Sequence, residues 1–112
     1  MVLKKIILYQ EERPDIKISM ELYFNEQGQL IFDGYDIGKT VEEWHGDSDY
    51  EYTYTIEANE VVKIYLILEV EKGDEESLLL EIKNRFGGNK AYSQFGDFLR
   101  KHKIDFTSFS WS

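Results

Sequence analysis

Hydrophobic and polar positions alternate along the first half of the chain, which is the pattern of β-strands with one buried face. The clearest alternation covers residues 16–24, and a second covers residues 50–56. Residues 2–9 are apolar and β-branched, and residues 29–35 follow a turn at 25–28, so both segments also predict strands. The polar segment 11–15, which contains the single proline, Pro14, is predicted to be the turn after the first strand.

The second half of the chain changes to a helical period. A helix is predicted over residues 75–86, with Asp74 as its N-cap and Gly87 at its end. Its apolar stripe consists of Leu78, Leu79, Ile82 and Phe86. Asn89 is the predicted cap of a further helix, and the alternation of residues 104–111 predicts a closing strand.

Residues 61–70 allow two interpretations. Their valines and isoleucines favour a strand, whereas Asn59 ahead of Glu60 could open a helix that is buried on most sides. We favour the helix. The sequence therefore predicts one α+β domain over residues 1–112, a mainly antiparallel sheet of four or five strands with two or three helices packed on one face.

Composition narrows the class of protein. The 112 residues include 22 acidic and 13 basic side chains, a net charge of −9, with 42% hydrophobic residues and no cysteine. These values exclude a disordered tail, a collagen-like fibre and a disulfide-stapled domain, and the acid excess argues against nucleic acid as a partner. No apolar run is long enough to span a membrane, and the short run after Lys4 and Lys5 is not a signal peptide. We expect a cytoplasmic protein without a membrane partner.

The acidic side chains are concentrated in one part of the sequence. Residues 33–60 hold nine acids and only Lys39 as a base, whereas residues 83–103 hold six bases and only Asp97 as an acid. One interpretation is an ordinary solvated face. The other is a carboxylate-rich surface that attracts a basic protein partner and speeds its association at low salt.

The segment 42–52 combines carboxylates with large aromatic rings, the residue types that dominate binding hot spots. A binding surface here would take its charge from Glu42, Glu43, Asp47, Asp49 and Glu51. It would take its anchoring rings from Trp44, Tyr50 and Tyr52. The competing interpretation is that the strand tyrosines form ordinary core, and we expect at least two of Tyr50, Tyr52 and Tyr54 to do so.

Metal binding and catalysis are weaker interpretations of the same segment. Asp47, Asp49 and Glu51 have the spacing that opens a calcium loop, but Tyr52 and Ala58 stand where that loop needs glycine and glutamate. The chain has no cysteine nucleophile and no phosphate-binding glycine loop. We therefore predict no metal and no cofactor. A small metal-dependent or hydrolytic enzyme centred on His45 and Asp47 remains the alternative to the binding domain.

The block WHGDSDYEYTYTI at 44–56, the FGG at 86–88 and the C-terminal FSWS resemble a group of small acidic bacterial proteins. The resemblance implies strands, then helices, then a last strand, and it implies no activity. The matching positions are Gly46, Asp47, Asp49, Tyr50, Glu51 and Trp111. His45 departs from the aromatic residue expected beside Gly46, which argues against a ligand role for His45.

More loosely, the chain is similar in size, acidity and aromatic content to the immunity proteins of bacterial toxin systems. These proteins block basic nuclease toxins with a carboxylate surface. The similarity implies a basic protein partner. A homodimer is also possible, because an edge strand such as residues 2–9 could pair with a second copy.

Overall fold

A computed structural model describes residues 5–38 and 49–111, except for the side chains of Asp49 and Trp111. The strands in these ranges are β1 (Lys5–Arg13), β2 (Ile16–Phe24), β3 (Leu30–Gly38), β4 (Asp49–Ile56) and β5 (Thr107–Trp111). The helices are α1 (Ala58–Ile67), α2 (Glu75–Phe86) and α3 (Ala91–Lys101). The prediction of an α+β fold is confirmed.

The five strands form one antiparallel sheet in the order β1-β2-β3-β4-β5. The three described helices lie between β4 and β5 along the chain, and β5 returns to pair with β4, so that Phe109 lies opposite Thr53. Among the described strands, β1 and β5 are therefore the two edges of the sheet.

One face of the sheet is covered by the helices. Leu22, Phe32 and Tyr54 lie opposite one another on successive strands and are at most 3% exposed. They join a single core cluster with helix residues such as Ile64 and Phe95. We call this side the helix-covered face. The other side is the outer face, and its described side chains on β2, β3 and β4 are all half-buried or exposed.

The first turn is shorter than predicted. Glu11, Glu12 and Arg13 were expected in the turn, but they continue β1 opposite Ile18, Lys17 and Ile16, leaving only Pro14 and Asp15 between the strands. That part of the prediction is wrong, because charged side chains are common on an edge strand, where they resemble a turn in sequence. The second turn is confirmed. The Asn25 side chain accepts hydrogen bonds from the backbone N–H groups of Gln27 and Gln29.

Residues 61–70 were predicted to be helical and not a strand, and the helix is confirmed for residues 61–67. Val61, Ile64, Tyr65 and Leu68 are buried at helical spacing along α1 and just after it. The helix begins at Ala58 after Glu57, however, and not at the predicted Asn59. Helix α2 has the predicted bounds, and Asp74 accepts a hydrogen bond from the N–H of Ser77 as its N-cap.

Two predictions around α3 are wrong. The N-cap residue is Lys90, not Asn89, and it makes no side-chain capping bond. The closing strand begins at Thr107, not at residue 104, because Ile104 belongs to the end of the helix. Its N–H donates to the carbonyl of Leu99 at 2.9 Å and its side chain is 3% exposed, as in a Schellman cap.

None of the helices in the described ranges is long and apolar enough to cross a membrane.

Candidate functional site

Half of the predicted binding residues can be located in the fold. Outside the described residues lie Glu42, Glu43, Trp44 and Asp47, and also His45, the centre of the alternative enzyme prediction. At the start of β4 lie Asp49, Tyr50, Glu51 and Tyr52. The geometry of the site is therefore built from β4 and from the strands beside it.

Alternation along β4 divides these residues between the two faces of the sheet. Glu51 points to the outer face, opposite Tyr35 on β3. Tyr50 and Tyr52 point to the helix-covered face, where they lie opposite Asp36 and Gly34. The predicted site residues on β4 thus do not form one surface.

Tyr52 is an interior residue, 4% exposed. Its ring covers Gly34, and its hydroxyl donates to Oδ1 of Asp36 at 2.7 Å. Burial, followed by this hydrogen bond, raises the pKa of Tyr52 far above the usual tyrosine range. The phenol therefore stays protonated near neutral pH, so it can donate a hydrogen bond but cannot serve as a base.

Tyr52 belongs to a layer of tyrosine rings between β4 and α3. Its ring centroid lies 4.7 Å from that of Tyr92, and the ring of Tyr54 stacks on Tyr92 at 4.2 Å. The Tyr54 hydroxyl donates to the carbonyl of Tyr92 at 3.0 Å. Burial is the main reason that the pKa of Tyr92 rises to about 12. With Tyr54 3% exposed, the expectation that at least two of the three β4 tyrosines form core is confirmed.

The outer face brings together two carboxylates that were not among the predicted site residues: Asp33, the first acid of the acid-rich segment 33–60, and Glu21, which lies outside that segment. Glu21 on β2 lies opposite Asp33 on β3, and Asp33 in turn lies opposite Thr53 on β4. This row of side chains ends at Ile7 on β1 and at Phe109 on β5, which are 42% and 60% exposed. We call Glu21, Asp33 and Glu51, together with Tyr23, Tyr35 and Phe109, the acidic outer face.

Among the described residues, one ion pair compensates part of the charge on this face. Lys5 binds Glu21, with 2.9 Å between Nζ and Oε2. Burial, followed by the charge of Glu21, raises the pKa of the Asp33 carboxyl above its usual value, and Lys5 offsets part of this increase. An additional cation beside Asp33 would therefore be favourable.

The acidic outer face also carries aromatic side chains. Tyr23 lies opposite Ile31 beside the two carboxylates, and Tyr35 lies opposite Ser19 on one side and Glu51 on the other. All of these residues are half-buried, so each ring has an accessible part as well as a packed part. Rings held in this way lose little conformational freedom on contact with a partner.

One sequence signal could have identified Glu21. It occupies a polar position in the strongest alternation of the chain, residues 16–24, so it had to face away from the core. Asp33 is harder to find, because its neighbour depends on the register between β2 and β3. The predicted turn at 25–28 gives a register that is one residue off, because it would pair Phe24 with Gln29, whereas Phe24 lies opposite Leu30.

One cleft among the described residues offers little for catalysis. This open cleft of about 200 Å³ lies between the β2–β3 turn, α1 and the α1–α2 connection, lined mainly by apolar residues such as Phe24, Val61 and Tyr65. Its charged residues are Lys72 and Glu75, so it lacks the paired carboxylates or histidine that acid–base chemistry uses. Among the described residues, no group of three or more histidine, aspartate or glutamate side chains is placed to hold a metal ion.

In comparisons with known proteins, the chain matches no protein-family model, no curated protein and no solved structure.

Proposed function

We propose that this protein is a non-catalytic binding domain for a basic protein, and that the acidic outer face is its contact surface. The observation that carries the proposal is the row formed by Glu21 and Asp33, two carboxylates directly opposite each other on neighbouring strands. Exposed apolar side chains, Ile7 and Phe109, lie at the two ends of this row. A basic surface patch of a partner could place its cations against the two carboxylates and its apolar side chains against Ile7 and Phe109.

The charge on Asp33 gives the surface a preference for cations. Like charges directly opposite on a sheet repel each other, and Asp33 is also partly removed from water. An arginine of the partner could bind both carboxylates through its planar guanidinium and relieve this repulsion. Tyr23 and Tyr35 lie on the same face on either side of this pair, each two positions along the strand from one of the carboxylates, so either ring could pack on a partner's arginine.

The concrete form of the proposal is an immunity-type inhibitor of a basic toxin or nuclease, acting in the cytoplasm. Such an inhibitor needs only to bind tightly and quickly, and a carboxylate-rich surface supports both. The sequence supplies further candidate contact residues, Glu42, Glu43, Trp44 and Asp47 outside the described residues and Asp49 at the start of β4.

A direct test uses a synthetic peptide of alternating arginine and glycine as the probe. We expect binding at low salt, with NMR shifts at Glu21, Asp33 and Tyr35, and weaker binding as salt is added. The variant Glu21→Gln/Asp33→Asn should bind about tenfold more weakly. The matched control is Glu71→Gln/Glu76→Gln, which removes two exposed carboxylates near and on α2 and should bind like the wild type. Equal binding by both double variants would contradict the proposal.

The natural partner can then be sought with the same three proteins as baits in a lysate of the source organism. We expect a basic protein that the wild type and the control retain and that the outer-face variant does not. After purification, this protein should show the same order of affinities. A captured protein that binds all three baits equally would contradict the proposed surface.

A further inference from the structure

The cleft beside α1 opens on the helix-covered side of the sheet, at the end where β2 turns into β3. Small residues leave its space of about 200 Å³ unfilled. Gly28 in the turn and Ala58 at the start of α1 border it. A side chain added at Gly73, in the connection from α1 to α2, would meet no described atom within 4 Å beyond its chain neighbours. The described fold thus keeps an open space next to its core.

The walls of the cleft are apolar. Phe24, Val61 and Tyr65 are core residues, each at most 6% exposed, and the half-buried Val62 also lines the space. Apolar cavities of about 150 Å³ in other proteins hold a benzene ring, whereas sites for drug-sized molecules begin at about 300 Å³. The cleft therefore has the size for one phenyl ring or one branched aliphatic side chain.

Two opposite charges line the same cleft, Lys72 in the connection and Glu75 at the start of α2. Among the described residues, neither side chain forms an ion pair, with the other or with a third group. Burial, followed by the charges of Glu75 and Asp74, raises the pKa of Tyr65, so both carboxylates lie towards its phenol. Because Asp74 accepts hydrogen bonds from Ser77, Glu75 is the carboxylate that remains for a ligand.

We propose that this cleft binds a free α-amino acid with a large apolar side chain. The side chain of the ligand occupies the apolar part of the cleft, Lys72 binds its carboxylate and Glu75 binds its ammonium group. These two ligand groups are attached to one carbon atom, so they fit between opposite charges that do not contact each other. A ligand with a single charge would leave Lys72 or Glu75 without a partner.

The expected affinity is modest, because the cleft is open and water screens both ion pairs. A ligand of about twelve non-hydrogen atoms should have a dissociation constant of about 1 mM here. Glu21 and Asp33 lie on the outer face, on the other side of the sheet. Binding of an amino acid is therefore independent of the proposed binding of a basic protein, and either can fail without the other.

The test is an NMR titration of the isotopically labelled protein with L-phenylalanine. We expect saturable shifts of the backbone amides of Gly28, Val62 and Gly73, which border the cleft. Two analogues keep the phenyl ring and lack one charge: hydrocinnamate has no ammonium group, and phenethylamine has no carboxylate. Each should bind the wild type about tenfold more weakly than L-phenylalanine does.

Two variants assign the charges of the ligand to their partners. In Glu75→Gln, L-phenylalanine and hydrocinnamate should bind about equally, because the partner of the ammonium group is gone. In Lys72→Gln, L-phenylalanine and phenethylamine should bind about equally, because the partner of the carboxylate is gone. The matched controls are Glu76→Gln and Lys83→Gln, exposed residues of α2 outside the cleft, and they should keep the preference of the wild type for L-phenylalanine.

The three ligands test the wild type directly, so the proposal stays falsifiable even if circular dichroism shows that a variant does not fold. A wild type without saturable shifts at about 20 mM L-phenylalanine would overturn the proposal. So would equal binding of the three ligands by the wild type. A loss of preference in the control variants as large as that in the Lys72 and Glu75 variants would also overturn it.

Discussion

Gly34 on β3 lies directly opposite Tyr52 on β4, and the tyrosine ring occupies the space that a side chain at position 34 would need. The ring lies against β3, and its hydroxyl reaches Asp36, two residues further along the same strand. The absence of a side chain at Gly34 thus permits the hydrogen bond between Tyr52 and Asp36. The hydrogen bond joins β4 to β3 two residues before β3 ends at Gly38.

Substituting Gly34 by alanine should destabilise the protein by about 1–3 kcal/mol. The added methyl group would overlap the Cε2 and Cδ2 atoms of Tyr52, and the buried ring would have to move away from Asp36. Urea unfolding of Gly34→Ala measures the loss. In a Tyr52→Leu background the same substitution should have a smaller effect, because the ring is absent. An equal loss in both backgrounds would contradict this explanation.

Tyr52→Phe should reduce the free energy of unfolding by about 1–2 kcal/mol, because it removes a donor to a carboxylate while keeping the ring. The control is Tyr23→Phe on the outer face, a half-buried tyrosine, for which we expect a change of no more than about 0.5 kcal/mol. Urea unfolding of the two variants in parallel provides the comparison. If both variants lose the same free energy of unfolding, the hydrogen bond between Tyr52 and Asp36 does not stabilise the fold in the way proposed.

Gly96→Ala should destabilise the protein, although replacing glycine by alanine inside an exposed helix usually stabilises by about 0.5–1 kcal/mol. A methyl group at Gly96 would overlap the hydroxyl of Tyr54, which donates to the Tyr92 carbonyl. We expect a loss of about 1–3 kcal/mol in thermal or urea unfolding. Ser93→Ala, at an exposed position of the same helix, should change stability by no more than about 0.5 kcal/mol. A stabilising Gly96→Ala would disprove the contact.

Elements with a strong period could be predicted with their bounds, whereas the length of the first turn and the N-cap of α3 could not. The alternation at 16–24 and the capped stripe at 75–86 coincide with β2 and α2. Asn89 has the right residue type for a cap, but the helix begins two residues later, where the backbone bond from the N–H of Ala91 to the carbonyl of Gly88 closes the turn. That bond depends on backbone conformation, which residue type only biases.

The sequence predicts the residue types of the candidate site, acids and aromatic rings, but not which residues lie together in it. Acids and aromatic rings are concentrated along one contiguous segment of the sequence, 42–52, whereas a sheet brings residues together across strands. Glu21 and Asp33 are neighbours because of the register between β2 and β3. Tyr52, selected as a possible anchor, lies inside because Gly34 leaves room for its ring. Both facts depend on pairing between strands that no single segment reveals.

Asp33→Asn should stabilise the folded protein near neutral pH. Because the pKa of Asp33 is raised by burial and by Glu21, the folded state binds its proton more tightly than the unfolded state does. The contribution of Asp33 to stability therefore falls as the pH rises from its ordinary pKa, about 4, through its raised value. Removing the charge should add about 0.5 kcal/mol to the free energy of unfolding at about pH 7, and nothing below about pH 4.

Urea unfolding of Asp33→Asn and the wild type across this pH range measures the difference. Glu76→Gln, which removes one exposed carboxylate on α2, is the control and should show no such dependence on pH. A destabilising Asp33→Asn at neutral pH would mean that the carboxylate is satisfied within the fold. In the proposed complex, Asp33→Asn should have the opposite effect, because an arginine of the partner would stabilise the ionised carboxylate of Asp33. Asparagine at position 33 should therefore stabilise the free domain and weaken its complex with the arginine–glycine peptide.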